Sequence, residues 1–219
     1  MGEMTPELRL AQFRREYSLA GLSEVDLAPD PIRQFQRWFE DALSAGVIEP
    51  NAMVLATANK AGHPSSRLVL LKQVDARGFV FFTNYSSRKG RELAENPHAA
   101  LTFPWHGLER QVCATGTVSK VSGEESETYF KLRPRGSRLG ANVSRQSEVV
   151  SGREALERGL AELERRYPGD DVPMPAEWGG YVLAPAEIEF WQGRPNRLHD
   201  RLRYRRKSDG SWLIERLSP

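Results

Sequence analysis

The spacing of apolar and polar positions divides the chain into helical and strand segments. In residues 31–45, Ile32, Phe35, Phe39, Ala42 and Leu43 fall at helical spacing, with Pro31 in the first turn and Gly46 as a stop. Upstream, "TPELRLAQFRREYSLAGL" reads as a helix with a Thr5 cap, Pro6 at its first position and a stop at Gly21. Its apolar face, Leu10 and Phe13, is thin, so this arm is expected to pack weakly. The period then changes. "AMVLATAN", "SSRLVLLKQV", "GFVFFTNY", "AALTFPW" and "RQVCATGTVSKV" are rich in β-branched and aromatic residues and are separated by turns such as "KAGHP" and "DARG". A helix over 86–95 interrupts them. "EESETYFKLR" and "REALERGLAELERRY" read as helices, "GYVLAPAEIEFWQG" as a strand, and residues 201–217 as a hairpin turning at Asp209-Gly210. No repeat or long linker is present. The pattern predicts an α+β fold, an antiparallel barrel with flanking helices: an arm over residues 1–20 and one domain over 21–219.

Composition narrows the setting. The 219 residues suit one medium-sized domain, and 39% hydrophobic with 27% charged content is ordinary for a soluble protein. A net charge of +2 argues against a nucleic-acid binder. Cys113 is the single cysteine, so no internal disulfide forms, and no run approaches the roughly 20 apolar residues of a membrane span. The expected setting is cytoplasmic, with no membrane partner.

Candidate chemistry begins with absences. There is no Walker loop, no G-x-G-x-x-G, no G-x-S-x-G and no C-x-x-C, and the four histidines lack metal-ligand spacing, so no metal is expected. What remains is local positive charge. "FWQGRPNRLHDRLRYRR" carries six arginines and His199 against Asp200 alone. Arg67 and Lys72, five apart on one strand, point to opposite faces; they serve two anionic sites or simply cap the strand ends in water. Ser86 or Ser87 as an N-cap puts Arg88 and Lys89 in the first helical turn, against the helix dipole. A phosphate at the helix start resolves that conflict, and a frayed, solvated turn is the alternative. Tyr129 and Arg133 share a helical face, Pro134 ends that helix, and Ser137 lies in the turn beyond: a second phosphate cradle or a solvated helix end.

These residues also resemble a known family. "RLVLLK", "SRKGREL", "LERQV", "YFKLRPRGS", "SRQSEV", "WGGY" and "EFWQGRPNRLHDR", with "FRREY" near the start, look like the motifs of pyridoxamine (pyridoxine) 5′-phosphate oxidase, in the family's order and across almost the whole chain. The resemblance implies an FMN-binding split-barrel homodimer with two flavin sites at the subunit interface. It implies oxidation of pyridoxine or pyridoxamine 5′-phosphate to pyridoxal 5′-phosphate, with O2 reduced to H2O2. Carried over by motif, FMN contacts fall at Arg67, Leu68, Val69, Leu70, Leu71, Lys72, Phe82, Thr83, Arg88, Lys89, Gln111, Gln146, Ser147, Trp191 and Arg201. Some of these belong to the partner chain. The substrate phosphate falls to Lys72, Tyr129, Arg133 and Ser137. Arg197, Leu198 and His199 face the substrate, and Arg14, Arg15, Glu16 and Tyr17 resemble a mobile N-terminal lid.

Two phosphates, one from FMN and one from substrate, then account for two basic clusters. The remaining arginines of "RYRRK" are expected to lie exposed on the last hairpin. Arg197 is the candidate for holding the substrate ring and stabilising developing charge. His199 either contacts substrate or moves a proton, or else is a structural partner of Asp200 or of a backbone carbonyl. Arg138 stands where the family usually has glutamine, Asn142 where it has tryptophan, and Phe82 where tyrosine is common, which puts packing around the substrate loop in question. Competing readings are a non-catalytic split-barrel protein that binds FMN or pyridoxal phosphate, and a flavin reductase.

Overall fold

Among the described residues nine strands pair antiparallel throughout: β1 (Ala52–Ala58), β2 (Pro64–Leu70), β3 (Gln73–Asp75), β4 (Gly78–Asn84), β5 (His98–Trp105), β6 (Arg110–Lys120), β7 (Trp178–Gln192), β8 (Asp200–Arg206) and β9 (Trp212–Arg216). The computed structural model describes residues 16–219. Strand order is β2-β1-β5-β6-β7-β4-β3, with β8 also on β7 and β9 on β8. One edge of β7 is covered by β6 along its length. The other edge is shared, residues 178–183 pairing with β4 and residues 187–192 with β8. The sheet therefore forks at β7, giving a curled antiparallel half-barrel.

The expected strand over 65–74 breaks at Leu71 and Lys72, where the chain changes partners. The Leu71 amide donates to the Asn51 carbonyl (2.8 Å) beside β1, and the Lys72 amide to the Val80 carbonyl (2.9 Å) of β4. β2 and β3 thus sit at opposite ends of the strand order, and the link between them draws the sheet round on itself.

Helix α1 (Pro31–Ser44) plugs the curl. Asp30 caps it by accepting from the Arg33 amide (2.9 Å), and it buries Ile32, Phe35, Trp38 and Ala42. Phe35 meets Phe79, Phe103 and Trp105 at 5.0, 4.8 and 5.9 Å between ring centroids. The buried stripe is shifted from the expected one: Trp38 is inside against Phe190, and Leu43 is exposed. Helices α2 (Arg88–Glu95), α3 (Gly123–Leu132), α4 (Arg135–Val143) and α5 (Arg153–Arg166) flank the sheet.

Two local expectations need correction. The helix expected over 5–21 does not include residues 16–21, which have no helical turn; the rest of it lies outside the described residues. The amides of Ser18 and Leu19 bond instead to the Glu109 carboxylate (2.9 and 3.0 Å). Ser137 lies not in a turn but in α4, which starts directly after Pro134. The proline holds Arg133 extended (φ −72°, ψ 146°) without preventing a new helix beyond it.

Candidate active site

The first cluster surrounds a cleft of about 640 Å³ between the β2–β3 link, β4, α3 and α4. It is lined by Leu68, Val69, Leu70, Lys72, Phe82, Thr83, Lys89, Tyr129, Arg133, Ser137 and Gln146, which reach it from six separate parts of the chain. Its wall is aromatic: Phe82 stacks on Tyr129 (4.1 Å) and lies near-parallel to Trp178 (5.5 Å), and the Arg133 guanidinium sits 4.8 Å over the Trp178 ring. Gly180 makes that stack possible, because a Cβ there would stand 2.7 Å from the Phe82 ring. Phe82 uses its ring face here, which a tyrosine hydroxyl would not improve.

Residues of both expected cradles line this cleft, Lys89 of the first and Tyr129, Arg133 and Ser137 of the second. Ser87 is the cap of α2, accepting from the Gly90 amide (3.3 Å). Lys89 is buried. Its ammonium donates to Gln146 Oε1 (2.8 Å), Thr83 Oγ1 (3.1 Å) and Ser87 Oγ (3.4 Å), all uncharged acceptors. Burial, and then the positive charge of Arg67, lower its pKa to about 8. Burial likewise lowers the pKa of Arg133, whose Nη1 is buried without a hydrogen-bond partner among the described residues. A cation held by neutral acceptors and a guanidinium nitrogen with none are suited to an incoming anion.

Arg67 and Arg88 lie beside the cleft, not in its lining. Both are held by Glu92: Arg67 Nη2 at 3.4 Å and Arg88 Nε at 2.8 Å. Burial pushes the Glu92 carboxyl up, but donors on Ser65, Thr57, Arg88 and Arg67 outweigh it and bring the pKa to about 2. Leu71 turns its side chain into the core. Ser147 is exposed at φ 74°, in the left-handed region.

The second cluster lies at the other end of β7. Gln111, Trp191 and Arg201 are cross-strand neighbours on β6, β7 and β8. His199 packs 4.6 Å from Trp191, and Tyr17 sets its ring edge against both, at 5.7 Å from Trp191 and 5.6 Å from His199. Gly193 leaves room for Tyr17, since a Cβ there would lie 2.7 Å from the ring. Tyr17, Gln111 and Trp191 border a second cavity of about 350 Å³. His199 Nδ1 accepts from the Arg194 amide (3.1 Å), so the neutral ring carries its proton on Nε2. Its pKa is lowered by burial and then by Arg197. Among the described residues neither Asp200 nor a backbone carbonyl is its partner. Arg197 is exposed at φ 62°, next to Asn196 at φ 56°, and Leu198 is exposed. Glu16 is exposed at the edge of the described chain, and Arg14 and Arg15 lie outside it.

The arginine-rich stretch is largely neutralised by carboxylates. Arg201 pairs with Glu189, Arg203 with Glu187 and Glu215, Arg205 with Glu215, and Arg194 with Asp200, while Arg206 lies over Trp212. These glutamates face the arginines across the strands, a pairing that the linear sequence hides. Arg203 and Arg205 are therefore ion-paired and not simply exposed. Of the six arginines in the stretch, Arg197 alone has no hydrogen bond, ion pair or ring contact among the described residues.

Several lining residues were not anticipated: Trp178, Gly140, Ala141 and Ser144 border the cleft, and Glu109 holds the arm. Ser137, Gly140, Ala141 and Ser144 recur at i, i+3, i+4 and i+7, a helical signal obscured by the glycines. Trp178 and Trp191 are thirteen residue steps apart on one strand, up to about 43 Å along β7, so one chain keeps the two clusters apart.

Comparison with known proteins identifies the family. The family model described as pyridoxamine 5′-phosphate oxidase matches residues 39–167, and that of the pyridoxine 5′-phosphate oxidase C-terminal dimerisation region matches 178–219. The pyridoxine/pyridoxamine 5′-phosphate oxidase of Rubrobacter xylanophilus is 62% identical over 96% of both chains. That of a Nostoc species is 57% identical over 96% of this chain and 98% of its own. The crystal structure of PhzG from Burkholderia lata, in complex with tetrahydrophenazine-1-carboxylic acid, superposes with a TM-score of 0.87 at 35% identity, covering 92% of this chain and all of that one. An FMN-binding protein from Nostoc punctiforme shares the fold (TM-score 0.67, 17% identity, 88% of this chain and 99% of that one). With two family models covering most of its length and relatives this similar, the chain belongs to the pyridoxamine 5′-phosphate oxidase family.

Proposed function

We propose that this protein is an FMN-dependent oxidase that converts pyridoxine and pyridoxamine 5′-phosphates to pyridoxal 5′-phosphate, with O2 reduced to H2O2. The observation that carries this reading is the convergence of Lys72, Tyr129, Arg133 and Ser137 with Lys89, Thr83 and Gln146 on one aromatic-walled cleft. Two sets of phosphate donors on one cavity suit two phosphorylated heterocycles bound side by side.

The residues fit FMN. Lys89, Thr83 and Gln146 would hold its phosphate at the start of α2, with Arg67 and Arg88 adding positive charge nearby. When bound, FMN supplies the two-electron acceptor and its reoxidation by O2. The chain does the rest. Lys72, Tyr129, Arg133 and Ser137 grip the substrate phosphate far from the reacting carbon, turning remote binding into alignment. Arg197 holds the ring, and His199 offers an Nε2–H or takes up a proton on protonation of Nδ1 after the Arg194 contact opens.

The active site is completed by a second copy. The family model over 178–219 describes a dimerisation region, and it spans the Trp191, Arg197 and His199 cluster. A homodimer would lay that end of one β7 over the cleft of the other chain. The outer face of β1 and β2 offers Val54, Leu68 and Leu70 for such contact, with Leu68 68% exposed. Glu16 and Tyr17 would close over the bound substrate. Among the described residues no helix is long and apolar enough to cross a membrane.

The test is direct. Purified protein should carry the yellow flavin spectrum and release peroxide on addition of pyridoxine 5′-phosphate. Flavin binding without peroxide would favour the non-catalytic reading. Peroxide formation that depends on a nicotinamide cofactor would favour a flavin reductase.

A further inference from the structure

Helix α4 has two faces. Ser137, Gly140 and Ala141, with Ser144 just beyond, line the cleft. Arg135, Arg138 and Asn142 instead reach the segment 167–173 that leads from α5 towards β7. Arg135 donates to the carbonyls of Gly169 (2.9 Å) and Tyr167 (2.5 Å). Arg138 donates to the Asp170 carbonyl and its Oδ1, both at 2.6 Å. Asn142 Nδ2 bridges the carbonyls of Arg138 and Pro173, each at 3.0 Å.

The helix needs this support. It has nine residues, no side-chain N-cap and a glycine in its interior, and it buries only Arg138 and Leu139. A helix that short is marginal by itself, and Gly140 weakens it by about 1 kcal/mol relative to alanine. Arg138 is the most enclosed of the three anchors, its side chain 8% exposed against 83% for Asp170. It does not line the cleft.

We propose that the Arg138–Asp170 contact is a positioning device for the substrate-phosphate end of the cleft. It sets where α4 lies, hence where Ser137 stands and how the chain enters from Arg133 through Pro134. Two of the three positions at which the sequence departs from the family's usual residues, Arg138 and Asn142, belong to this one device. The inference rests on the proposed function for the identity of the ligand.

The experiment uses the holoenzyme with Arg138→Met, Arg138→Lys and Asp170→Ala, reading steady-state kinetics with pyridoxine 5′-phosphate, flavin content and amide exchange over 135–143. Loosening one charge-assisted phosphate contact should raise KM by about tenfold in Arg138→Met. Flavin content should stay within about twofold, because the flavin contacts are untouched, and kcat should fall by less than KM rises. Asp170→Ala, which keeps the backbone acceptor, should shift KM the same way by less, and Arg138→Lys should recover part of the loss. Exchange in α4 should quicken in step with KM. Quicker exchange at unchanged KM would make the contact merely structural and overturn the proposal. So would unchanged exchange, or a parallel loss of kcat, KM and flavin. If Arg138→Met fails to fold, Asp170→Ala decides, since its side chain is exposed. An unsubstituted protein that does not oxidise the substrate would sink the functional reading first, so the two failures are distinct.

Discussion

Lys89 is a buried cation whose charge is held by neutral acceptors, and this makes phosphate binding depend on pH in a calculable way. With its pKa lowered to about 8, the group is almost fully protonated at pH 7. At pH 9 only about a tenth of it is protonated in the empty site. A bound phosphate, doubly ionised above pH ~6, returns the lysine to its charged form. The FMN dissociation constant should therefore rise about tenfold between pH 7 and pH 9, equivalent to about 1.4 kcal/mol. Folding responds with the opposite sign. Between about 8 and the ordinary lysine value of 10.5 the unfolded chain binds the proton more tightly, so this group's contribution to apoprotein stability improves as pH rises through that window. Titrating apoprotein with FMN and following the loss of flavin fluorescence measures the first effect. Lys89→Met should weaken binding at pH 7 by about 1.5–3 kcal/mol, the worth of a hydrogen bond to a charged group, and flatten the pH dependence. A slope over pH 7–9 that is the same with and without Lys89 would refute the assignment.

Three further outcomes are expected. Glu109→Ala removes a carboxylate that accepts from Ser18 and Leu19, bonds worth roughly 1.5–3 kcal/mol each; amide exchange at those two residues should accelerate, and KM should rise as Tyr17 loses its hold. Arg197→Met, which removes an arginine free of partners among the described residues, should lower kcat/KM about a hundredfold or more while flavin content stays near normal; equal loss of both would remove its assigned role. Phe35→Ala opens a cavity where α1 meets three aromatic rings and should cost about 3–5 kcal/mol in urea denaturation, without moving the pH dependence of FMN binding.

Much of the fold was legible because β-branched and aromatic runs stand between recognisable turns, and because a capped, amphipathic α1 reads clearly. What escaped was tertiary. Nothing local says that the chain changes partners at Leu71, since that break is set by Asn51 and Val80. Helix α4 was hidden by Gly136, Gly140 and its missing cap, because its support comes from carbonyls some thirty residues away. Part of the cleft lining was visible, Lys89 as a charge opposing a helix dipole and Tyr129 with Arg133 as a pair at helical spacing. The excess charge of "FWQGRPNRLHDRLRYRR" misled, because its carboxylate partners Glu187, Glu189 and Glu215 are supplied across strands.

The central claim is that the cleft of one chain and the Arg197–His199 end of another make a single site. Mixing Arg133→Ala and Arg197→Met proteins after reversible dissociation tests it. If sites are shared, half of the reassociated dimers are mixed, and each has one site free of both substitutions. Activity should then recover to about a quarter of the unsubstituted level. If each chain builds its own site, every site carries a substitution, and activity stays at the level of the two separate variants.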